Sequence, residues 1–200
     1  GASISAETVS LASATGNINN VTQAQQWSSL ALNGIKNAPA LSFSDTQLGD
    51  VASISASKNA SLSAGGNIDN TGATLAAGGD LQLGARGDIN IAANALHTDR
   101  LNKNGSAVVT SSQDGSVSAG GDLTARAGHD LNLSGSTLVS NGDTRLAAAN
   151  DINLNTLDNS SHQTQGNSKS DSINATRSTI QSSGNLALSA GRDINSQAAQ

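Results

Sequence analysis

Acidic and amide side chains recur in this chain at intervals regular enough to build a ladder of ligands. Asp122 and Asp143 are 21 residues apart, and so are Asp130 and Asp151. Projected along the chain, the first spacing collects Asn59, Asp80, Asp122, Asp143 and Asn185; eight residues later each time, a second column collects Asn67, Asp88, Asp130, Asp151 and Asp193. Two chemistries use such columns. Calcium needs six or more converging oxygens, and the β-rolls that stack calcium carry a G-G-x-G-x-D ninefold text, whereas the spacing here alternates 8 and 13 without that text. Asx-turn capping, in which the side chain bonds its own following backbone, accepts Asp and Asn equally. Capping is therefore the expected role, and no metal or other cofactor is expected.

The remaining chemistry-bearing residues are sparse. His97, His129 and His162 lack paired spacing, fall in turns or polar loops and are expected to face water. A polysaccharide-active β-helix enzyme, of the lyase or glycosidase kind, would need carboxylates gathered in a cleft. Here most aspartates already serve the columns, the only glutamate is Glu7, and aromatic residues that could form sugar platforms make up 1%. A non-enzymatic role is therefore favoured over that alternative. Arg86, Gly87 and Asp88 spell an adhesion-type tripeptide, but Gly87 and Asp88 occupy the turn positions of Gly66 and Asn67 one repeat earlier, which leaves Arg86 as the only unexplained residue.

Short elements must position these residues. Each of Asp122, Asp130, Asp143 and Asp151 follows a turn-prone stretch containing Gly or Asn and opens an alternating segment, such as Leu123 and Ala125 or Leu131 and Leu133. A third apolar column, Ile54, Leu75, Leu96, Val117, Leu138 and Ile180, fails only at Asn159. Three strands per 21-residue coil follow, each stacked on its equivalent in the next coil. Parallel crossovers are right-handed, so the expected fold is all-β: a right-handed parallel β-helix, or β-solenoid, spanning residues 1–200 as one repeat segment. Strong coils at 59–100 and 122–163 alternate with weak ones at 101–121 and 164–184, a 63-residue super-repeat. Nine or so coils predict a rod roughly 45 Å long. Asn17 is placed in the first column, 42 residues before Asn59.

Composition agrees with a thin stack. A chain 36% hydrophobic and 12% charged, with 21 Gly, is too poor in large apolar side chains for a two-layer globule. It is also too weakly charged to be disordered. Small aliphatics suffice when each coil buries its neighbour. A net charge of −5 with scattered Lys and Arg excludes a basic stripe for nucleic acid. No apolar run is long enough to cross a membrane, so no insertion by this segment is expected. The start and end of the chain are read as those of an internal fragment of something longer.

Two places interrupt the pattern. Residues 19–50 are irregular and carry Trp27, Pro39 and Phe43, expected to decorate a coil pair by covering an apolar edge or filling a wider core layer. Polar text near 97–106 and 159–171 breaks the register one super-repeat apart, as loops bulging from one face. The charged and amide residues there define a candidate partner-binding ridge: His97, Asp99, Arg100, Lys103, His162, Gln163, Gln165 and Lys169.

The text A-G-G-D-L and A-G-x-D-[IL]-N, at Ala119 to Leu123, Ala127 to Asn132 and Ala190 to Asn195, resembles the haemagglutinin repeats of filamentous-haemagglutinin-type exoproteins. The super-repeat most resembles the later repeat region of contact-dependent growth inhibition effectors and related adhesins. The resemblance implies a shaft at the surface of a Gram-negative bacterium, exported through the outer-membrane transporter of a two-partner system. It also implies a receptor, protein or glycan, on a neighbouring or host cell.

Overall fold

Alternation with period two makes each short segment a strand and decides which face it buries. In Leu81–Ala85 the first, third and fifth side chains are buried while Gln82 is exposed, and Leu123–Ala127 and Thr144–Ala148 repeat this inward order. The computed structural model describes residues 1–30, 42–102 and 104–197.

In chain order, the first coil contains β1 (Ser3–Ala6), β2 (Val9–Ser13) and β3 (Ile18–Val21), and a hairpin of β4 (Ala24–Leu30) and β5 (Ser42–Leu48) follows. The second coil has β6 (Ser53–Ala56), β7 (Ala60–Ala64) and β8 (Ile68–Thr71); the third has β9 (Thr74–Ala77), β10 (Leu81–Ala85) and β11 (Ile89–Ala92). A second hairpin, β12 (Asn94–Asn102) and β13 (Gly105–Gln113), leads into β14 (Gly115–Ala119), β15 (Leu123–Ala127) and β16 (Leu131–Ser134). The fifth coil is β17 (Ser136–Ser140), β18 (Thr144–Ala148) and β19 (Ile152–Asn155). The third hairpin, β20 (Leu157–Gln165) and β21 (Ser168–Thr176), precedes the sixth coil of β22 (Thr179–Ser182), β23 (Leu186–Ala190) and β24 (Ile194–Ser196). No described residue is helical.

Equivalent strands stack in parallel into three six-stranded sheets, giving the right-handed β-helix with three strands per coil. The predicted third column lies in one sheet, where Ile54, Leu75, Val117, Leu138 and Ile180 are successive register partners. Leu96 and Asn159 are excluded from it because they belong to hairpins. Leu, Ile, Val and Ala fill one continuous core, with Leu81, Ile89, Leu123, Leu131, Leu133, Leu138 and Ile152 fully buried.

Of the weak coils expected at 101–121 and 164–184, only the closing parts, with β14 and β22, lie in the solenoid. Ahead of those strands the chain leaves the solenoid as antiparallel hairpins, in which Asn94 pairs with Gln113 and Leu157 with Thr176. Each consumes the length of one coil, so Leu81 partners Leu123 across 42 residues and the register passes undisturbed. The first hairpin is longer. Ser3 therefore partners Ser53, and Asn17 faces Asn67 in the second column, not the first. The described residues form six coils, and five steps of ~4.8 Å give a stack about 24 Å long instead of 45.

The three hairpins pair with one another into a fourth six-stranded sheet, ordered β21-β20-β13-β12-β5-β4. Its existence explains the super-repeat. A hairpin occupies two strand spacings and two coils advance by two strand spacings, so one hairpin per two coils keeps all four sheets in step. Where coils join without a hairpin, the corner is a glycine in the left-handed region: Gly72 at φ 52 and Gly135 at φ 54, one super-repeat apart.

Candidate functional site

The predicted columns are continuous hydrogen-bond ladders, but their bonds run between coils and not within a turn. Asp80 N–H donates to Asn59 Oδ1, Asp122 N–H to Asp80 Oδ1, Asp143 N–H to Asp122 Oδ1 and Asn185 N–H to Asp143 Oδ1, all at 2.8–2.9 Å. The second column repeats this from Asn17 through Asn67, Asp88, Asp130 and Asp151 to Asp193. The reason is geometric: turns stacked one strand spacing apart put each amide N–H nearer the side chain of the preceding coil than its own.

Three of the column aspartates have an arginine beside them. Arg145 Nη2 lies 2.7 Å from Asp143 Oδ2 and Nη1 lies 3.8 Å from Asp122 Oδ2, while Arg192 Nη2 lies 2.8 Å from Asp151 Oδ2. The ladder hydrogen bond from Asn185 holds the Asp143 carboxyl below its ordinary 3.8; desolvation opposes this and Arg145 assists it. A carboxyl lowered on folding contributes stability that is present above its unfolded value and lost as pH falls through the folded one. Asp143→Asn keeps the Oδ1 acceptor, so its melting temperature at pH 7 is expected to stay near that of the parent, with a shallower loss in acid. Asp143→Ala removes the acceptor and is expected to melt lower than Asp143→Asn at pH 7. Melting curves at pH 7 and pH 3 check both.

A third ladder lies outside the predicted columns. Asn90 donates through Nδ2 to Asp69 Oδ1, Asn132 to Asn90, Asn153 to Asn132 and Asn195 to Asn153, at 2.8–2.9 Å. Its signal was present in the sequence, since Asn132, Asn153 and Asn195 each stand two residues after a column aspartate.

The ridge residues fall on the hairpin sheet, on strands and not in loops. His97, Asp99 and Arg100 are on β12, His162, Gln163 and Gln165 on β20, and Lys169 on β21; Lys103 lies outside the described residues. Register divides them between two faces. Arg100, Ala107 and Gln163 form one cross-strand row, and Asn102, Gly105 and Gln165 form the next row on the same face. His97, Asp99, His162 and Lys169 alternate to the other face, where His162 Nδ1 contacts Asp171 Oδ1. His129 is the one histidine left in a turn, 4.0 Å from Asp88.

At the hairpin tips, Gly105 and Ala107 form the floor of a groove of about 250 Å³, walled by Arg100 and Asn102 on β12 and by Gln163 and Gln165 on β20. Planar amides and a guanidinium set across a small-residue floor suit hydroxyl and carboxylate groups. Trp27 and Phe43 do not fill a core layer or cover its edge. Trp27 is 53% exposed on β4, and Phe43 carries the Arg100 guanidinium 5.2 Å above its ring. Pro39 lies outside the described residues.

These features define a β-helical shaft bearing a lateral sheet of hairpins. Family models described as hemagglutinin repeat match residues 42–112 and 102–176, and a second haemagglutinin repeat model matches residues 154–200. The chain belongs to the haemagglutinin-repeat family of filamentous-haemagglutinin-type exoproteins. It is 42% identical over 177 residues, 84% of its length, to the tRNA nuclease CdiA of Escherichia coli O6:K15:H31. It is 43% identical over 75 residues, 38% of its length, to the 16S rRNA endonuclease CdiA of Enterobacter cloacae, and 34% identical over 151 residues, 76% of its length, to the deoxyribonuclease CdiA of Dickeya dadantii. The matches span 5%, 2% and 4% of those relatives' own lengths. No solved structure matches the chain significantly.

Proposed function

We propose that this chain is a non-enzymatic shaft segment of a large secreted exoprotein at the surface of a Gram-negative bacterium. In this reading it holds the parent protein out toward a neighbouring or host cell, for adhesion or for delivery of a growth-inhibiting toxin, and its hairpin sheet meets a protein or glycan receptor. The observation that carries the proposal is how little of this sheet is covered: among the described residues of its strands, only Asn94 is buried. Among the described residues, a sheet with so little buried surface leaves two faces for recognition. The relatives support the non-enzymatic part, since proteins named for three different nuclease activities share this segment. A segment common to different chemistries is a poor candidate for any one of them.

Removing Ser161 to Ser168 deletes the end of β20, the Gly166 turn at φ 58 and the start of β21, and leaves Ser160 and Ile173 able to pair. The shortened chain is expected to keep its β-type circular dichroism and to lose binding to target cells, scored by flow cytometry. Undiminished binding would remove the receptor role from this hairpin. Release of sugar fragments from an extended polysaccharide would restore the enzyme alternative.

A further inference from the structure

Arg86, which the repeat does not explain, lies in the turn after β10 beside a depression of about 500 Å³ on the outer face of the β2-β7-β10-β15-β18-β23 sheet. Arg126 of the next coil lines the same depression, together with Ser13, Ser63, Gly65 and Gly84. We propose that this depression binds an oxyanion group, sulfate, phosphate or carboxylate, carried on a saccharide.

Three residues that the fold does not require converge there. Arg145 and Arg192 are ion-paired to the aspartate ladders. Among the described residues, Arg86 and Arg126 form no salt bridge. Their guanidinium donors are therefore available, and the planar fork matches an oxyanion bidentately. Gly84 is the third. It precedes Arg126 in an outward column running Ala12, Ser63, Gly84, Arg126, Ala147 and Ser189. A Cβ there would meet nothing within 4 Å, and glycine inside a strand weakens it. No close approach demands this glycine, whereas a side chain would fill the depression beside Arg126.

The size and floor select the carrier. A bare ion is far smaller than the depression, while a sugar ring can lie on the flat Gly and Ala surface with the Ser63 hydroxyl beside it. The net charge of −5 argues against a general polyanion surface and makes two unpaired arginines a local exception.

This site is independent of the hairpin face, and calorimetry separates the two. Short dextran sulfate fragments are expected to bind the parent chain, and the matching neutral dextran is not. Arg86→Gln and Arg126→Gln are each expected to weaken binding about tenfold or more, and Gly84→Leu to do so without removing a charge. Arg177→Gln, at an exposed arginine on another face, is expected to bind as the parent does, as is the chain lacking Ser161 to Ser168. Equal weakening by Arg177→Gln would reduce the binding to diffuse charge and overturn the proposal, as would undiminished binding by folded Gly84→Leu. Inorganic sulfate binding as tightly as the fragments would overturn the saccharide assignment.

Discussion

Leu131→Asp is expected to unfold the stack at neutral pH. Leu131 has no exposed surface, and its β16 strand lies between Ile89 of one coil and Ile152 of another. Losing the leucine removes about 1.5–3 kcal/mol of burial. Placing a carboxylate in a layer of Leu and Ile adds several kcal/mol, because no cation or donor is there to accept it. Together these approach the total stability of an ordinary domain, about 5–15 kcal/mol. Thermal unfolding followed by circular dichroism is the check, and a melting temperature equal to the parent's would show that Leu131 does not face the core. The same substitution at Asn153, in the outward amide column, is expected to be far milder.

The second large effect is expected at the corners. Gly72 is buried at positive φ, and a methyl group there would collide with the side-chain amide of Asn94, whose Nδ2 donates to Thr22 O at 3.0 Å. Gly72→Ala therefore combines left-handed strain of roughly 1–2 kcal/mol with disruption of a buried polar contact worth about 1–3 kcal/mol. Gly166 supplies the internal comparison: φ is 58, yet a Cβ would meet nothing within 4 Å. Gly166→Ala should show the strain alone. Urea denaturation of the two variants measures the difference, and equal losses would mean that the Asn94 contact contributes nothing.

The solenoid was legible because its signal is local and repeated. An inward residue such as Leu83 or Leu133 appears in every coil at the same offset, and period two assigns its face without knowledge of the partner strand. The hairpins were misread because a 21-residue hairpin and a 21-residue coil occupy the same length of chain. The corrective signal was present at Asn104-Gly105 and Gly166-Asn167, turn pairs flanked by extended polar text. Position could not be read in the same way. Asn17 looked like a first-column residue because counting assumes a constant increment, and the longer first hairpin shifts the count. The Arg86 and Arg126 depression was not legible either, since it depends on which side chain of a neighbouring coil projects over which gap.

The matched rise of coils and hairpins constrains how such a chain can change in length. Excising one coil alone would leave a hairpin trying to bridge one strand spacing with two strands, so every pairing beyond it in the lateral sheet would be displaced. Excising two coils with their hairpin restores all four sheets at once. The heritable unit of elongation or shortening is therefore a whole super-repeat, and unequal recombination between neighbouring copies yields folded products only when it respects that unit.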